Sequence, residues 1–206
     1  MAKQLLPIFP LSFVLLPAIP LPLHIFEDRY KEMMGDILPA EGEFGVVLAK
    51  ENGIVNIGCS AVIDRVMNRY PDGRLDLLTI GQRRFQIDSL DETKSYLRAE
   101  VEYFNDDDAT EVPPELQQKA GAAYRKLLEL ERPEIVLEPK FDWSRMSFQV
   151  AQFIYDLDKR QTVLTLRSEI DRLEFIMKIL PEYLERQERI ALAQRVGPRN
   201  GHAKSN

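Results

Sequence analysis

The side chains able to carry acid–base, nucleophilic or metal chemistry are few and poorly placed for it. His24 and His202 are the only histidines among 206 residues, and His202 stands in the terminal stretch VGPRNGHAKSN. A histidine base or metal site would therefore rest on His24, whose neighbours in LPLHIF are apolar. That is the setting of a packed or hydrogen-bonded structural imidazole. Cys59 is the single cysteine; in IGCSAV, with no histidine nearby in sequence, it reads as a small buried filler. Asp106, Asp107 and Asp108 form a run that lacks the alternating spacing and closing glutamate of a calcium loop, so it reads as solvated linker. Arg83 and Arg84 precede Phe85 and could meet a phosphate, but at a strand entrance they read as a solvated rim.

The phosphate-cradling and nucleophile motifs are missing. No Gly is followed by Lys-Ser or Lys-Thr, and neither G-x-S-x-G nor G-x-G-x-x-G occurs. No lysine is poised beside a serine in an elbow. The residues thus give no active site, no cofactor and no metal, and the expectation is a protein that is not an enzyme.

Composition narrows the class further. The net charge of −6 and pI near 5.1 argue against a surface built to hold nucleic-acid phosphates, and neither half is a basic domain hidden by the average. One cysteine allows no intrachain disulfide, which suits a reducing cytoplasm. Pro7, Pro10, Pro17, Pro20 and Pro22 interrupt the apolar opening LPIFPLSFVLLPAIPLPLHIF, breaking the helix that a signal core or a membrane span requires. We expect a mature, soluble, cytoplasmic chain without membrane attachment.

Up to about residue 104 the chain reads as short strands. Residues 96–103 alternate Leu97, Ala99, Val101 and Tyr103 with Arg98, Glu100 and Glu102, the period of a strand with one wet face. Phe85 and Ile87 alternate with Gln86 and Asp88. Residues 44–48 read as another strand, and Pro71-Asp72-Gly73 reads as the turn between strands at 62–70 and 75–80. Proline survives at strand starts, edges and bulges, so the opening reads as two short strands at 5–9 and 19–25 joined by a Pro-containing turn. A helix is expected over 27–38, where Tyr30, Met33 or Met34, and Ile37 recur at helical spacing. Many short strands with few long connections suggest a small barrel or folded sheet.

NDDDATEVPPE at 105–115 changes the period. Leu116, Ala120, Tyr124, Leu127 and Leu128 mark one helix; Met146, Val150, Phe153, Ile154 and Leu157 a second; Ile170, Leu173, Met177, Leu180 and Leu184 a third, with Pro181 expected to kink it or start a new segment. The expected division is a β-rich part at 1–105, a helical part at 106–195, and a disordered tail at 196–206.

Five fragments carry a resemblance. LPIFPL, VLLPAIPLPLHIFEDRY, FGVVL, DGRLDLLTIGQRRFQI and YLRAEVEYF are similar, in that order, to the amino-terminal, substrate-binding domain of Lon proteases, and most of all to its stand-alone form. The match spans about residues 5–104, and the helical remainder looks like the bundle that follows. One departure is LLPAIPLPL, where Leu16 and Ala18 replace the Phe and Gly of a Phe-Pro-Gly found in many relatives. The resemblance implies an α+β fold, a PUA-like β-rich pseudo-barrel followed by a helical bundle, and a role in recognising protein substrates. The ATPase and Ser/Lys peptidase modules of complete Lon proteases have no counterpart among the motifs found.

The leading expectation is a non-catalytic module that engages exposed apolar segments of unfolded or damaged polypeptides, in company with a separate ATP-dependent protease or chaperone. Exposed apolar patches usually mark binding sites. Leu16, Pro17 and Ile19 in the turn, with Met33 and Met34 as adaptable contacts on the helix, are the candidate peptide-binding residues; core packing is the competing account of each. Two alternatives stay open. One is a scaffold, such as a homodimer, that oligomerises through the same surface and meets one dedicated partner. The other is an RNA binder, since PUA-like folds elsewhere bind RNA; the acidic balance argues against it.

Overall fold

A computed structural model describes residues 5–107, 110–131 and 141–196. Six strands and the first helix come before residue 105: β1 (Leu6–Leu11), β2 (Pro20–Ile25), α1 (Asp28–Ile37), β3 (Phe44–Lys50), β4 (Gly53–Arg69), β5 (Leu75–Asp91) and β6 (Arg98–Phe104). Four helices follow: α2 (Pro114–Glu131), α3 (Met146–Ala151), α4 (Leu157–Thr165) and α5 (Glu169–Val196). The mixed α+β architecture expected from the sequence is present.

The sheet closes on itself. β5 pairs with β4 along one side, and on the other with β2 over residues 75–80 and with β6 over residues 84–91. β6 pairs with β1, β1 runs parallel to β3, and β3 returns to β4. The ring β5–β4–β3–β1–β6 thereby holds a small core of Leu6, Ile8, Val47, Phe85 and Ala99. Gly45 and Gly58 make room for the Phe85 ring, which a Cβ at either position would overlap. Beyond this ring, β2 and the far halves of β5 and β4 extend as a three-stranded sheet.

Two strands are longer than the residue pattern indicated. β4 and β5 each run 17 residues through Gly58 and Gly81, joining stretches that read as separate strands. Successive bulges in their pairing, between Cys59 and Ala61, Ile63 and Arg65, and Val66 and Asn68, let them bend around the barrel. The helix expected around Met146–Leu157 is two: α3 ends, and Asp156 caps α4 by accepting from the Lys159 N–H at 3.0 Å. α5 continues through Pro181 as one helix.

One buried apolar cluster runs from Phe9, Leu16, Met33 and Phe44 in the β part to Leu127, Val150, Leu164 and Leu173 in the helices. A polar junction supplements it. Asp106 accepts from Arg84 Nη2 at 2.5 Å and from Arg172 Nη1 and Nη2 at 2.6 Å each. Arg172 also donates to Glu169 and to Ser147 Oγ, and Arg84 donates to the Leu166 carbonyl at 2.5 Å. Two expectations are corrected here. Asp106 is an ion-pair hub and not solvated linker, and Arg84 is buried while only its neighbour Arg83 stays at the wet rim, paired with Glu43. Side chains alternate across a strand, so adjacent arginines must face opposite ways. Asp108 and the tail from residue 197 lie outside the described residues.

Candidate functional site

The five residues expected to contact a guest are all buried. Leu16, Met33 and Met34 are fully enclosed, Ile19 is 8% exposed, and Pro17 is buried with them. The reason is local. Leu16-Pro17-Ala18-Ile19 closes a tight turn in which the Ile19 N–H donates to the Leu16 carbonyl at 3.2 Å and Ala18 takes φ 61°. Proline second and a positive φ third is the pattern of a type II turn, which folds this segment onto β5 at Gly81. The Ala18 N–H donates to the Gly81 carbonyl at 2.8 Å, and a Cβ on Gly81 would overlap the Leu16 carbonyl oxygen. α1 lays Tyr30, Met33, Met34 and Ile37 into the same core, with the Tyr30 ring edge-on to Phe9. These residues are packing, and as they stand none of the five presents an exposed side chain to a guest.

The outer face of the three-stranded extension carries apolar side chains that lie outside the core. Along β2, Leu21, Leu23 and Ile25 point inward while Pro20, Pro22 and His24 are exposed. Register aligns them with β5 and β4 in three rows: Pro20, Ile80 and Val62; Pro22, Leu78 and Arg65; His24, Asp76 and Asn68. The first two rows put Pro20, Pro22, Val62, Leu78 and Ile80 side by side as an apolar strip. Phe26, 59% exposed, and Met67, 53% exposed, stand near its His24 end.

The third row ends the strip with a polar knot. His24 Nδ1 lies 2.6 Å from Asp76 Oδ1, and the Tyr70 hydroxyl donates to Asp76 Oδ2 at 2.8 Å. These two bonds, His24 first and Tyr70 second, hold the Asp76 carboxyl below the usual aspartate range. The Phe26 ring stacks on His24 with centroids 5.9 Å apart, and Tyr70 meets it edge-on at 6.0 Å. This is a hydrogen-bonded structural histidine, although an exposed one.

Cys59, the one thiol, is fully buried, and burial pushes it up to about 12, leaving no thiolate at neutral pH. Among the described residues no group of three or more His, Cys, Asp or Glu side chains is placed to hold a metal ion. The helices among the described residues include none long and apolar enough to cross a membrane. Reading the sequence for apolar runs missed this face because it is built from three strands, each supplying one or two residues. The available signal was the alternation of Pro20, Pro22 and His24 with Leu21, Leu23 and Ile25.

The model of the ATP-dependent protease La (LON) substrate-binding domain matches residues 5–182. The Lon protease of Roseiflexus castenholzii (strain DSM 13941 / HLO8) is 25% identical over 238 aligned residues, covering 97% of this chain and 29% of that protein. The Lon protease of Parabacteroides distasonis is 30% identical over 110 residues, 49% of this chain and 13% of that protein. The chain therefore spans less than a third of the length of these relatives. Among solved structures, a Lon N-terminal domain protein from Xanthomonas campestris superposes with a TM-score of 0.69 at 26% identity, covering 85% of this chain and 98% of that one. The N-terminal domain of Mycobacterium avium complex Lon protease shares the fold, with a TM-score of 0.60 at 18% identity over 88% of this chain and 98% of that one. With the matched model reaching from β1 well into α5, this chain belongs to the LON substrate-binding domain family.

Proposed function

We propose that this chain is a non-catalytic polypeptide-binding module that recognises exposed apolar segments of unfolded or damaged proteins, acting beside a separate ATP-dependent protease or chaperone. Membership of a substrate-binding family supports the binding role. The observation that carries the choice of surface is the strip of Pro20, Pro22, Val62, Leu78 and Ile80, flanked by the exposed Phe26 and Met67. Exposed apolar area on a folded domain is costly unless it is used, and it binds other apolar chains by the same effect that builds cores. Neighbouring Arg65 pairs with Asp64 at the rim, so the strip carries little net charge to select among guests.

The test is suppression of aggregation of a heat-denatured client in the absence of ATP. Protection should be stoichiometric, because a passive binder has no cycle, and it should tolerate moderate salt. Phe26→Ser with Met67→Ser should weaken protection and leave the melting temperature near the parent's, since both side chains are more than half exposed. Full protection by that variant would remove the surface from consideration. No protection by the parent, with one stoichiometric partner recovered from lysate, would favour the oligomeric scaffold. Purified protein should neither hydrolyse ATP nor cleave casein.

A further inference from the structure

The connection between β3 and β4 carries a reactive dipeptide. Glu51 and Asn52 form the tip of this hairpin, and pairing resumes with Lys50 opposite Gly53. Gly53 holds φ 131°, a conformation that residues with a side chain rarely adopt, so the turn itself asks for glycine here. Of the asparagines among the described residues, Asn52, Asn56, Asn68 and Asn105, Asn52 alone precedes a glycine.

A following glycine leaves its backbone nitrogen open to the asparagine's own side chain, because no Cβ crowds the approach. Nothing stands within 4 Å of the position a Gly53 Cβ would take, and both residues are exposed. Asn56 and Asn68 lie inside β4 instead, followed by Ile57 and Arg69. Asn105 precedes Asp106, which Arg84 and Arg172 hold in place.

We infer that Asn52 is a self-modification site, converted by Gly53 and water into aspartate and isoaspartate. The Gly53 nitrogen gives up its proton and bonds to Asn52 Cγ. The Cγ–Nδ2 bond breaks, and the side-chain nitrogen leaves as ammonia. Water then opens the resulting succinimide ring. Attack at Cγ restores the ordinary chain with an aspartate; attack at the main-chain carbonyl of residue 52 routes the chain through the side chain as isoaspartate. The net change is one water consumed and one ammonia released, with no oxidant and no second enzyme.

The new charge lands in a cleft between the hairpin and α4, bordered by Ser12, Lys50, Glu51, Asn52, Leu157 and Asp158. Lys50 is the cation of that lining, and its Nζ lies 2.7 Å from Asp158 Oδ1, tying β3 to α4. A carboxylate at position 52 competes with Asp158 for this ammonium, and isoaspartate also lengthens the chain between Lys50 and Gly53. The reaction is a slow, irreversible timer on this link between the β part and the helices, and it needs no bound guest.

The test incubates the full chain in warm, mildly alkaline buffer and follows each asparagine by tandem mass spectrometry of its peptides. Asn200-Gly201 is the same dipeptide in the same chain and serves as the reference. A hairpin tip opens at little cost, so conversion at Asn52 should run within about tenfold of that at Asn200 and at least about tenfold faster than at Asn56. A slower reaction on either comparison overturns the inference. The link is read separately, by amide exchange in α4. An exposed ion pair contributes at most about 1 kcal/mol, so exchange in the aged parent and in fresh Asn52→Asp should rise by about two- to fivefold. Asn52→Gln, incubated alongside, should keep its original exchange. Unchanged exchange in Asn52→Asp, or an equal rise in aged Asn52→Gln, would overturn the timer.

Discussion

Arg84 in β5 and Arg172 in α5 meet on one carboxylate, that of Asp106, at 2.5 and 2.6 Å. Both guanidinium groups are buried, and Asp106 is 23% exposed. Phe148 lies under both, 5.7 Å from the Arg84 guanidinium and 4.6 Å from that of Arg172. A barrel strand, the segment after β6 and the longest helix are therefore joined at a single anion.

Removing that anion should be costly. Asp106→Asn leaves the buried Arg84 guanidinium short of a counter-charge and Arg172 with Glu169 alone, and breaking a buried pair in this way costs about 3–5 kcal/mol. Urea unfolding should show this loss, together with faster proteolysis in the 105–114 connection. Burial opposes ionisation of Asp106, but the bonds and charges of Arg172 and then Arg84 prevail and lower its pKa below the ordinary 3.8. A carboxyl depressed in the folded state contributes stability above its unfolded pKa and loses it as pH falls through the folded value. The stability gap between parent and Asp106→Asn should therefore be full at neutral pH and shrink only below about pH 4. A gap independent of pH down to full acid unfolding would mean that the charge is not what stabilises the junction.

The turn at residues 16–19 should respond to substitution in opposite senses. Ala18 holds φ 61°, a left-handed conformation that costs an alanine about 1 kcal/mol or more. Ala18→Gly relieves that strain and loosens the unfolded chain, with a net gain of about 0.5–1 kcal/mol. Gly81→Ala drives a methyl group into the Leu16 carbonyl oxygen and should cost several-fold more than Ala18→Gly gains. Thermal melts of the two variants decide it; a destabilised Ala18→Gly protein would refute the strained turn.

Leu16 and Ile19 should behave as core. Leu16→Ser removes a fully enclosed side chain and introduces a hydroxyl, at a cost of about 4 kcal/mol or more. Ile19→Ser should cost somewhat less. Circular dichroism melts should fall steeply for both, whereas Phe26→Ser leaves the melt nearly unchanged. A native-like melt for Leu16→Ser would place that side chain at the surface after all.

Cys59 reports on the integrity of the barrel wall. Enclosed, raised to about 12 and donating to the Ser60 carbonyl at 3.4 Å, its thiol should react with a soluble disulfide reagent at least about a hundredfold slower than a free thiol. In denaturant the reaction should become fast and stoichiometric. Rapid labelling of the native protein would mean that β4 opens readily around Cys59.

Local chemistry determined much of this molecule from sequence alone. Alternation in residues 96–103, the Pro-Asp-Gly turn before β5, and the helical spacing of Tyr30, Met33 or Met34, and Ile37 each depend on neighbours a few residues away. So does the order of motifs that marks the family. Tertiary structure decided which apolar side chains are sheltered and which charges are solvated. Leu16 and Met33 are no more apolar than Leu78; they are buried because a turn and a helix from distant parts of the chain close over one core, whereas nothing among the described residues closes over Leu78 to the same degree. Asp106 resembles its neighbour Asp107 in every local respect. Only the convergence of Arg84, 22 residues before it, and Arg172, 66 residues after it, makes one the hub of a buried network while Asp107 stays at the exposed edge. Burial and pairing are sums over contacts made across the chain, and no short window of sequence contains them.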